Sequence, residues 1–477
     1  MKRFFVITFA FFLLVAALGL PACAPDTRDR YTMRLVFEPL SRTLSGEMEV
    51  RLTNRTDRPW DTVCFQLWAN AFREGAKYLP VGETFAPAVY YKGASFGGIA
   101  VTDVEGGEAR VAGADENILE IVPPSPVPSG GEARFSMRFT VLLPEIEHRL
   151  GIGQRTVTLS GFYPVLCHWD GGFCEHVYTP CGDPFTSAAA DYDVTFTLPE
   201  RYLVAHTGTG TRTAADGLAR YHIAAEGVRD FAMVCSERFS VCTGEAAGVP
   251  VAYYYLDDPD PARTLAAAEE SLAFFEETFS DYAYPAYTVA ETGFPYGGME
   301  FPMLSWIADD LPGRETPLVV AHETAHQWWY AMVGSDPYHE AWQDEGLAEF
   351  SAALFLDAHP AYRQTYADVV SASERAYRAY YSVSAQLSAG ETAMSRPLTS
   401  YTGDYAYRSL AYDKGVILFD RQRQTMGDGR FFAALKAYAR AYAGKTASPA
   451  ELIACFAARA PQAEGIFAAF LGGACVI

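Results

Sequence analysis

The chain has 477 residues, 50% of them hydrophobic, and carries a formal net charge of −21. This length is typical of two or three domains, and the hydrophobic content is ample for large cores. So acidic a chain argues against nucleic acid and against an anionic membrane surface as electrostatic partners.

The N-terminus has the pattern of an export signal. Lys2 and Arg3 precede an apolar run over 4–20, which predicts a signal peptide over residues 1–22. The run is short for a membrane span, so an uncleaved anchor is the second choice. The segment 20–23, Leu-Pro-Ala-Cys, resembles a bacterial lipobox and predicts lipidation of Cys23. We therefore expect an exported, lipid-anchored protein of the cell envelope, with ordinary cleavage and secretion as the alternative.

Eight cysteines remain besides Cys23, and an exported protein can oxidise them to disulfides. Cys235 with Cys242, and Cys455 with Cys475, are candidate local pairs. Three others are spaced by seven residues, which is not a zinc-ligand spacing: Cys167, Cys174 and Cys181. Disulfides or core cysteines are favoured there over a second metal site.

Short segments of alternating apolar and polar residues run from Tyr31 to Val241, separated by turn-rich breaks such as 123–131. This pattern predicts an N-terminal antiparallel β domain over residues 24–247, without a chemical motif of its own. The clearest segments are 33–37, 48–52, 63–67, 135–141 and 194–198.

The periodicity becomes helical after Val249. Asp260 followed by Pro261 is typical of a helix start, and apolar residues then recur at helical spacing. A little sheet is expected near 287–304, and most of the second domain, 248–477, is predicted to be helical. The whole chain is therefore predicted to be an α+β multidomain protein. Further helices are expected around residues 322 and 345, over 404–424 and 431–442, and from 448 to the end.

The strongest motif is His322-Glu323-Thr324-Ala325-His326, followed by Glu345. Residues four apart lie on one helix face, so both imidazoles can reach one ion. Glu345 can supply a third ligand, since catalytic zinc sites often use two histidines and one carboxylate. Glu323 is then placed to act as general base on a zinc-activated water. The competing interpretation is a buried helix whose histidines are merely hydrogen-bonded.

These residues and three further segments resemble the gluzincin zinc aminopeptidases, the membrane alanyl aminopeptidase family. Glu345 lies in an Asp-Glu-Gly-Leu-Ala segment, 344–348, that is similar to the family's. The other similar segments are Gly-Gly-Met-Glu at 297–300, Tyr-Asp-Lys-Gly at 412–415 and Arg-Asp-Phe-Ala at 229–232. The resemblance implies a thermolysin-like catalytic domain that binds one Zn²⁺ ion. It also implies a short form without the family's large C-terminal helical domain, and hence a more open cleft.

The resemblance also implies roles for individual residues. Tyr412 matches the family's catalytic tyrosine and is expected to donate to the oxyanion, with Tyr407 a weaker candidate. Glu300 is expected to pair with the α-ammonium of a peptide, which fixes cleavage one residue from the N-terminus. The strand before it, formed by Gly297, Gly298 and Met299, is expected to lie against the substrate.

Two departures from the family pattern concern the amine site. Phe301 stands where Asn is usual, and no upstream residue clearly matches the second polar or acidic residue with which the family binds the amine. Asp170 and Glu175 are nearby possibilities.

Metal-bound imidazoles usually donate their second N–H to an acceptor. Glu349, one turn after Glu345, is the candidate acceptor for His322, and Asp344 is the candidate for His326. Surface positions are the alternative for both.

The predicted function is removal of N-terminal amino acids from peptides with a free N-terminus. The first alternative is a zinc endopeptidase or another zinc hydrolase, for example one acting on an epoxide, as in one branch of the family. The second is a non-catalytic surface binding lipoprotein, against which the intact Glu323 and Tyr412 argue.

Overall fold

The computed structural model describes residues 28–386 and 392–473. The predicted signal peptide, Cys23 and Cys475 lie outside the described residues.

The first half of the chain is built from β-sheets, as predicted. Its largest sheet has seven strands in the order β13-β14-β11-β1-β2-β7-β4. Strand β2 shows why the sequence pattern worked: Leu44, Met48, Val50 and Leu52 alternate with exposed residues and form part of the core. The strands of this sheet are β1 (Asp29–Glu38), β2 (Thr43–Thr53), β4 (Gly98–Glu105), β7 (Glu132–Leu142), β11 (Ala190–Pro199), β13 (Thr209–Ala215) and β14 (Leu218–Val228).

One pairing differs from the predicted antiparallel arrangement. Strand β1 pairs with β11 in parallel, with Asp29 opposite Ala190 and Leu35 opposite Phe196. Some 150 residues separate the two strands, so local alternation carries no information on their relative direction.

Two four-stranded sheets complete this half, in the orders β10-β3-β6-β5 and β12-β15-β9-β8. The first consists of β3 (Val63–Gln66), β5 (Glu108–Ala112), β6 (Ile118–Val122) and β10 (Val165–Leu166). The second consists of β8 (Leu150–Ile152), β9 (Val157–Leu159), β12 (Leu203–His206) and β15 (Met233–Ser236).

The second half begins with a five-stranded sheet in the order β16-β17-β18-β20-β19. The expected change of domain near residue 248 falls inside the β16–β17 hairpin, because Ala246 pairs with Val249. The strands are β16 (Ser240–Ala246), β17 (Val249–Tyr255), β18 (Tyr287–Thr292), β19 (Gly298–Met299) and β20 (Leu304–Ala308).

Helices dominate the remainder, and each segment predicted to be helical contains helix in its described part, although the last one, from 448, forms two separate helices. Pro261 occupies the first turn of α2 as expected, and Asp260 is its N-cap residue. A π-helical stretch, Arg408–Asp413, interrupts the segment predicted as one helix over 404–424. The helices are α1 (Ala86–Val89), α2 (Pro261–Thr278), α3 (Thr316–Ala325), α4 (Pro337–Glu340), α5 (Trp342–Ala358), α6 (Tyr366–Gln386), α7 (Asp404–Tyr407), α8 (Lys414–Met426), α9 (Asp428–Tyr442), α10 (Pro449–Ala457) and α11 (Ala463–Leu471).

The cysteines in the described part of the chain form no disulfide, so the predicted Cys235–Cys242 pair is wrong. Cys235 lies in β15 and is fully buried, whereas Cys242 lies in the neighbouring sheet and its sulfur contacts the carbonyl oxygen of Tyr253. Within residues 28–386 and 392–473, no helix combines the length and apolar character needed to span a membrane.

Candidate active site

The zinc motif lies at the C-terminal end of α3, packed against the five-stranded sheet. Ser305 of β20 donates a hydrogen bond to the carbonyl of Glu323, and the hydroxyls of Tyr287 and Thr324 are 3.0 Å apart. Helix α5 packs against α3 and presents Glu345 from its first turn. The two-helix arrangement expected from the sequence is therefore confirmed.

The three candidate ligands form a compact triangle. The Nε2 atoms of His322 and His326 are 3.1 Å apart, and Oε2 of Glu345 lies 3.3 Å from each of them. A tetrahedral zinc ion with bonds of about 2.0–2.1 Å separates its ligand atoms by about 3.3–3.4 Å. No described residue donates a hydrogen bond to this carboxylate oxygen, although it is buried. The donor set and its dimensions therefore fit one zinc ion.

In each of the two histidines, the Nδ1 atom lies next to a hydrogen-bond acceptor, as a metal ligand requires. Nδ1 of His322 lies 2.8 Å from Oε2 of Glu349, in agreement with the expected pairing. The pairing of His326 with Asp344 is wrong, because Nδ1 of His326 instead contacts the carbonyl oxygen of Trp329 at 3.0 Å. Asp344 accepts hydrogen bonds from the hydroxyl of Ser335 and from the Glu345 amide. The chain turns back after α3, and this turn brings the Trp329 carbonyl closer to Nδ1 of His326 than any side-chain acceptor.

Glu323 is buried beside β19. Its Oε2 has no hydrogen-bond partner among the described residues. Burial raises the pKa of Glu323 to about 7, against the opposing effect of His322 and His326. Such a carboxylate can take up a proton near neutral pH.

The strand that was expected to lie against the substrate passes beside Glu323, with Gly298 in direct contact with that side chain. Gly297 adopts a φ of +94°, which favours glycine, and Met299 is buried with its sulfur 3.1 Å from Nε of Arg149. Glu300 follows directly and is only 5% exposed. Phe301, the departure from the family pattern, is a core residue whose ring meets that of Trp306 edge-to-face, with centroids 4.7 Å apart.

Gln327 fixes the backbone that follows Glu300. Its amide nitrogen donates to the Phe301 carbonyl at 3.1 Å, and its amide oxygen accepts from the Met303 N–H at 2.8 Å. Gln327 directly follows His326, so the zinc motif and the predicted amine anchor are joined by two hydrogen bonds.

Sequence reasoning missed Asp183, which comes from the β domain and is buried among the acidic groups of the site. It forms an ion pair with Arg149, whose guanidinium lies 5.2 Å from the Phe294 ring. The two upstream residues considered from the sequence, Asp170 and Glu175, are both exposed. Asp183 sits in a Gly-Asp-Pro segment that reads as an ordinary turn, so no local signal marked it.

Tyr412 reaches the site through the π-helical stretch. Its ring is stacked on His322, with centroids 5.6 Å apart and an angle of 11°. Burial, followed by the nearby carboxylate of Glu345, raises the pKa of Tyr412 well above its usual value, so its hydroxyl keeps its proton. Tyr407, the weaker candidate, donates to Oε1 of Glu345 at 3.1 Å. Tyr412 also interacts with the Glu345 carboxylate, so stacking on His322 is what distinguishes it from Tyr407.

Two glycines bring this segment close to Glu345. A Cβ on Gly415 would stand 2.6 Å from Cα of Gly346, so α5 and α8 cross in backbone contact. A side chain at Gly346 or at Gly415 would separate the two helices and push Tyr412 away from the candidate zinc ligands.

The site holds an excess of buried negative charge. Burial raises the pKa of Glu300 well above its ordinary value, and the carboxylates of Asp183, Glu345 and Glu323 add to the effect. Burial also raises the pKa of Glu345, but its contacts with His322 and His326 outweigh burial and hold it below its usual range. Bound cations would relieve this repulsion.

Residues 263–465 match the family model described as the peptidase family M1 domain. This segment, which is less than half of the chain, is therefore similar to the peptidase family M1 domain. The matched segment contains the three candidate metal ligands and, in addition, Glu323, Glu300 and Tyr412. Asp183 lies outside it.

Curated relatives with the same kind of domain are distant. The chain is 26% identical over 203 residues to leukotriene A-4 hydrolase of Xenopus laevis, which covers 39% of this chain and 31% of that protein. It is 24% identical over 284 residues to leucine aminopeptidase 2 of Emericella nidulans, covering 56% and 44%. With aminopeptidase B of Mus musculus the identity is 28% over 181 residues, covering 36% and 27%. The chain thus spans less than half the length of these relatives.

Solved structures match the fold over nearly the whole chain. An M1 zinc metallopeptidase from Deinococcus radiodurans aligns with a TM-score of 0.67 at 17% identity, covering 94% of this chain and 95% of that chain. A mutant of that metallopeptidase bound to the substrate Tyr-Ser-Ala aligns with a TM-score of 0.65 over the same shares. The arrangement of a β domain in front of the M1 domain is therefore shared.

Proposed function

We propose that this chain is a zinc aminopeptidase that removes the N-terminal residue from peptides with a free amino group. His322, His326 and Glu345 would hold the zinc ion. A zinc ion in such a site lowers the pKa of bound water towards 7 and polarises the scissile carbonyl. The remaining steps belong to side chains of this protein.

Glu323 is assigned the proton transfers. Its carboxylate would take the proton of the attacking water at Oε2 and return it to the leaving amine. Two observations support this role: Oε2 has no other partner among the described residues, and burial brings the pKa of the carboxyl to about 7.

Tyr412 is assigned the oxyanion. Its hydroxyl remains protonated and would donate a hydrogen bond to the carbonyl oxygen as negative charge develops there. The stacking of its ring on His322 supports the role, because it holds the side chain beside a candidate zinc ligand before substrate arrives.

The observation that carries the aminopeptidase assignment is the second pair of buried carboxylates. Glu300 and Asp183 lie near Glu323 and Glu345. Arg149 forms an ion pair with Asp183 and also attracts Glu300 electrostatically, but no ion pair is formed by Glu300 among the described residues. An α-ammonium between these carboxylates would neutralise charge that is costly to bury. It would also place the first peptide bond, and no later one, at Glu323.

We also infer that the protein is exported and lipid-anchored. The charged start at Lys2 and Arg3, the apolar run that follows and Cys23 support this inference.

Product mapping tests the function. The purified chain is incubated with a peptide of about ten residues, and fragments are followed by mass spectrometry with and without a zinc chelator. Stepwise loss of N-terminal residues that the chelator stops and added zinc restores is the expected result. Internal cleavage would instead establish an endopeptidase, and cleavage that survives complete removal of the metal would contradict zinc hydrolysis.

A further inference from the structure

A second group of metal-ligand side chains lies outside the active site. One ligand atom each from His176, Asp336 and His339 lie within 4.8 Å of one another. His176 belongs to the β domain, between β10 and β11, whereas Asp336 and His339 lie at α4, directly before the helix that carries Glu345. Two imidazoles and a carboxylate are donors typical of zinc sites.

His176 is held as a metal ligand would be. Its side chain is 4% exposed, and its Nε2 has no hydrogen-bond partner among the described residues. The backbone carbonyl of Pro184 lies close enough to interact with the ring, but it leaves Nε2 without a partner among the described residues. A buried polar atom of this kind requires an explanation.

The ring of His176 is also fixed in orientation. Tyr338 stacks on it with centroids 4.2 Å apart and an angle of 2°. The backbone carbonyl of His176 accepts hydrogen bonds from the side-chain amides of Gln66 and Asn117. The ligand is therefore already ordered without an ion, which lowers the entropy cost of binding one.

The other two ligands close the group on its solvent side. Nδ1 of His339 lies 2.6 Å from Oδ2 of Asp336, and Thr186 donates to Oδ1 at 3.3 Å. The His339 side chain is 50% exposed, so an ion can enter from water. A hydrogen-bonded pair at the start of α4 would explain Asp336 and His339 alone, but it leaves Nε2 of His176 without a partner.

We propose that His176, Asp336 and His339 bind a second divalent transition-metal ion of the zinc class. This site goes beyond the proposed peptidase activity. Such an ion would tie His176 of the β domain to the segment between α3 and α5.

The test is a metal count on the whole chain. Wild type, His339→Ala and Asp336→Asn are incubated with excess zinc chloride and passed through gel filtration, and zinc per chain is measured by mass spectrometry. His222→Ala is the matched control, because His222 also faces an aspartate, with Nδ1 3.7 Å from Oδ1 of Asp193, but belongs to no three-ligand group among the described residues. Circular dichroism checks that each variant is folded.

Wild type and His222→Ala are expected to bind one zinc equivalent more than either variant of the cluster. Equal zinc in wild type, His339→Ala and Asp336→Asn would overturn the proposal. The comparison counts a difference between chains, so it is independent of the catalytic ion and of whether the proposed activity is correct.

Discussion

Gly298 lies directly against Glu323: a Cβ at position 298 would stand 2.1 Å from Oε1 of that carboxylate. The sequence suggested that the glycines of this strand make room for the substrate backbone. In the structure, Gly298 makes room for the Glu323 carboxylate, the proposed general base. The strand assigned to the substrate and the carboxylate assigned to proton transfer are thus packed as one unit.

Gly298→Ala is expected to displace Glu323 and to lower kcat by about 100-fold, since a shift of about 1 Å at a catalytic group has that effect. Steady-state kinetics on an aminoacyl reporter measures it. Gly313→Ala is the matched control, because a Cβ there meets no atom within 4 Å. Equal rates for Gly298→Ala and wild type would show that the carboxylate does not need its present position.

Glu323→Gln keeps the shape of the side chain but cannot accept the proton of water. We expect kcat to fall by about 10²–10⁴-fold while the zinc content stays unchanged. Kinetics and metal analysis on the same preparation separate loss of the base from loss of the ion. A variant that retains both zinc and most of its rate would exclude Glu323 as the base.

Tyr412→Phe and Tyr407→Phe remove hydroxyls with different proposed roles. Loss of the Tyr412 hydroxyl is expected to lower kcat by about 10²–10³-fold and to change zinc affinity less than loss of the Tyr407 hydroxyl does. Loss of the Tyr407 hydroxyl removes the bond to Oε1 of Glu345 and is expected to weaken zinc binding about 10–100-fold. Zinc titration against a competing chelator, beside kcat, distinguishes the two. The assignment fails if Tyr407→Phe lowers kcat at saturating zinc more than Tyr412→Phe does.

Asp230 makes folding stability depend on pH. Burial raises its pKa to about 7, so the folded state holds the proton more tightly than the unfolded state does. The stabilisation is complete below the ordinary pKa of an aspartate and is lost as the pH rises through 7. Asp230→Asn carries no charge, so its Tm relative to wild type should be higher at pH 8 than at pH 5.

The exposed Asp57 provides the control for this measurement, since Asp57→Asn should shift Tm equally at both pH values. Scanning fluorimetry on the three proteins is sufficient. A Tm difference between Asp230→Asn and wild type that does not change with pH would contradict the buried charge.

The sequence predicted the features that depend on local spacing. His322 and His326 are four residues apart on one helix, and Glu345 and Glu349 are four apart on the next, so helical periodicity alone placed both pairs. The alternation of apolar and polar residues likewise predicted strands such as β2. Resemblance to the family added Glu300 and Tyr412, whose roles spacing could not suggest.

The rest depends on contacts between distant segments. Asp183 and Arg149 reach the site from the β domain, and the parallel pairing of β1 with β11 joins strands far apart in the chain. The π-helical stretch before Lys414 follows no hydrophobic period, and the carbonyl of Trp329 is a backbone acceptor that no motif marks. Local patterns carry no information on such contacts.

Glu300 is proposed to bind the free amine of the peptide beside Glu323. The most direct measurement compares kcat/KM for a free-amine peptide and its N-acetylated form in wild type and in Glu300→Gln, with the exposed Glu277→Gln as control. The wild type should have a much higher kcat/KM for the free-amine peptide than for the acetylated form. In Glu300→Gln, kcat/KM should fall about 10–100-fold for the free-amine peptide only, as expected for a lost charge-assisted hydrogen bond. Equal cleavage of both substrates by the wild type, or an equal loss on both in Glu300→Gln, would contradict the account.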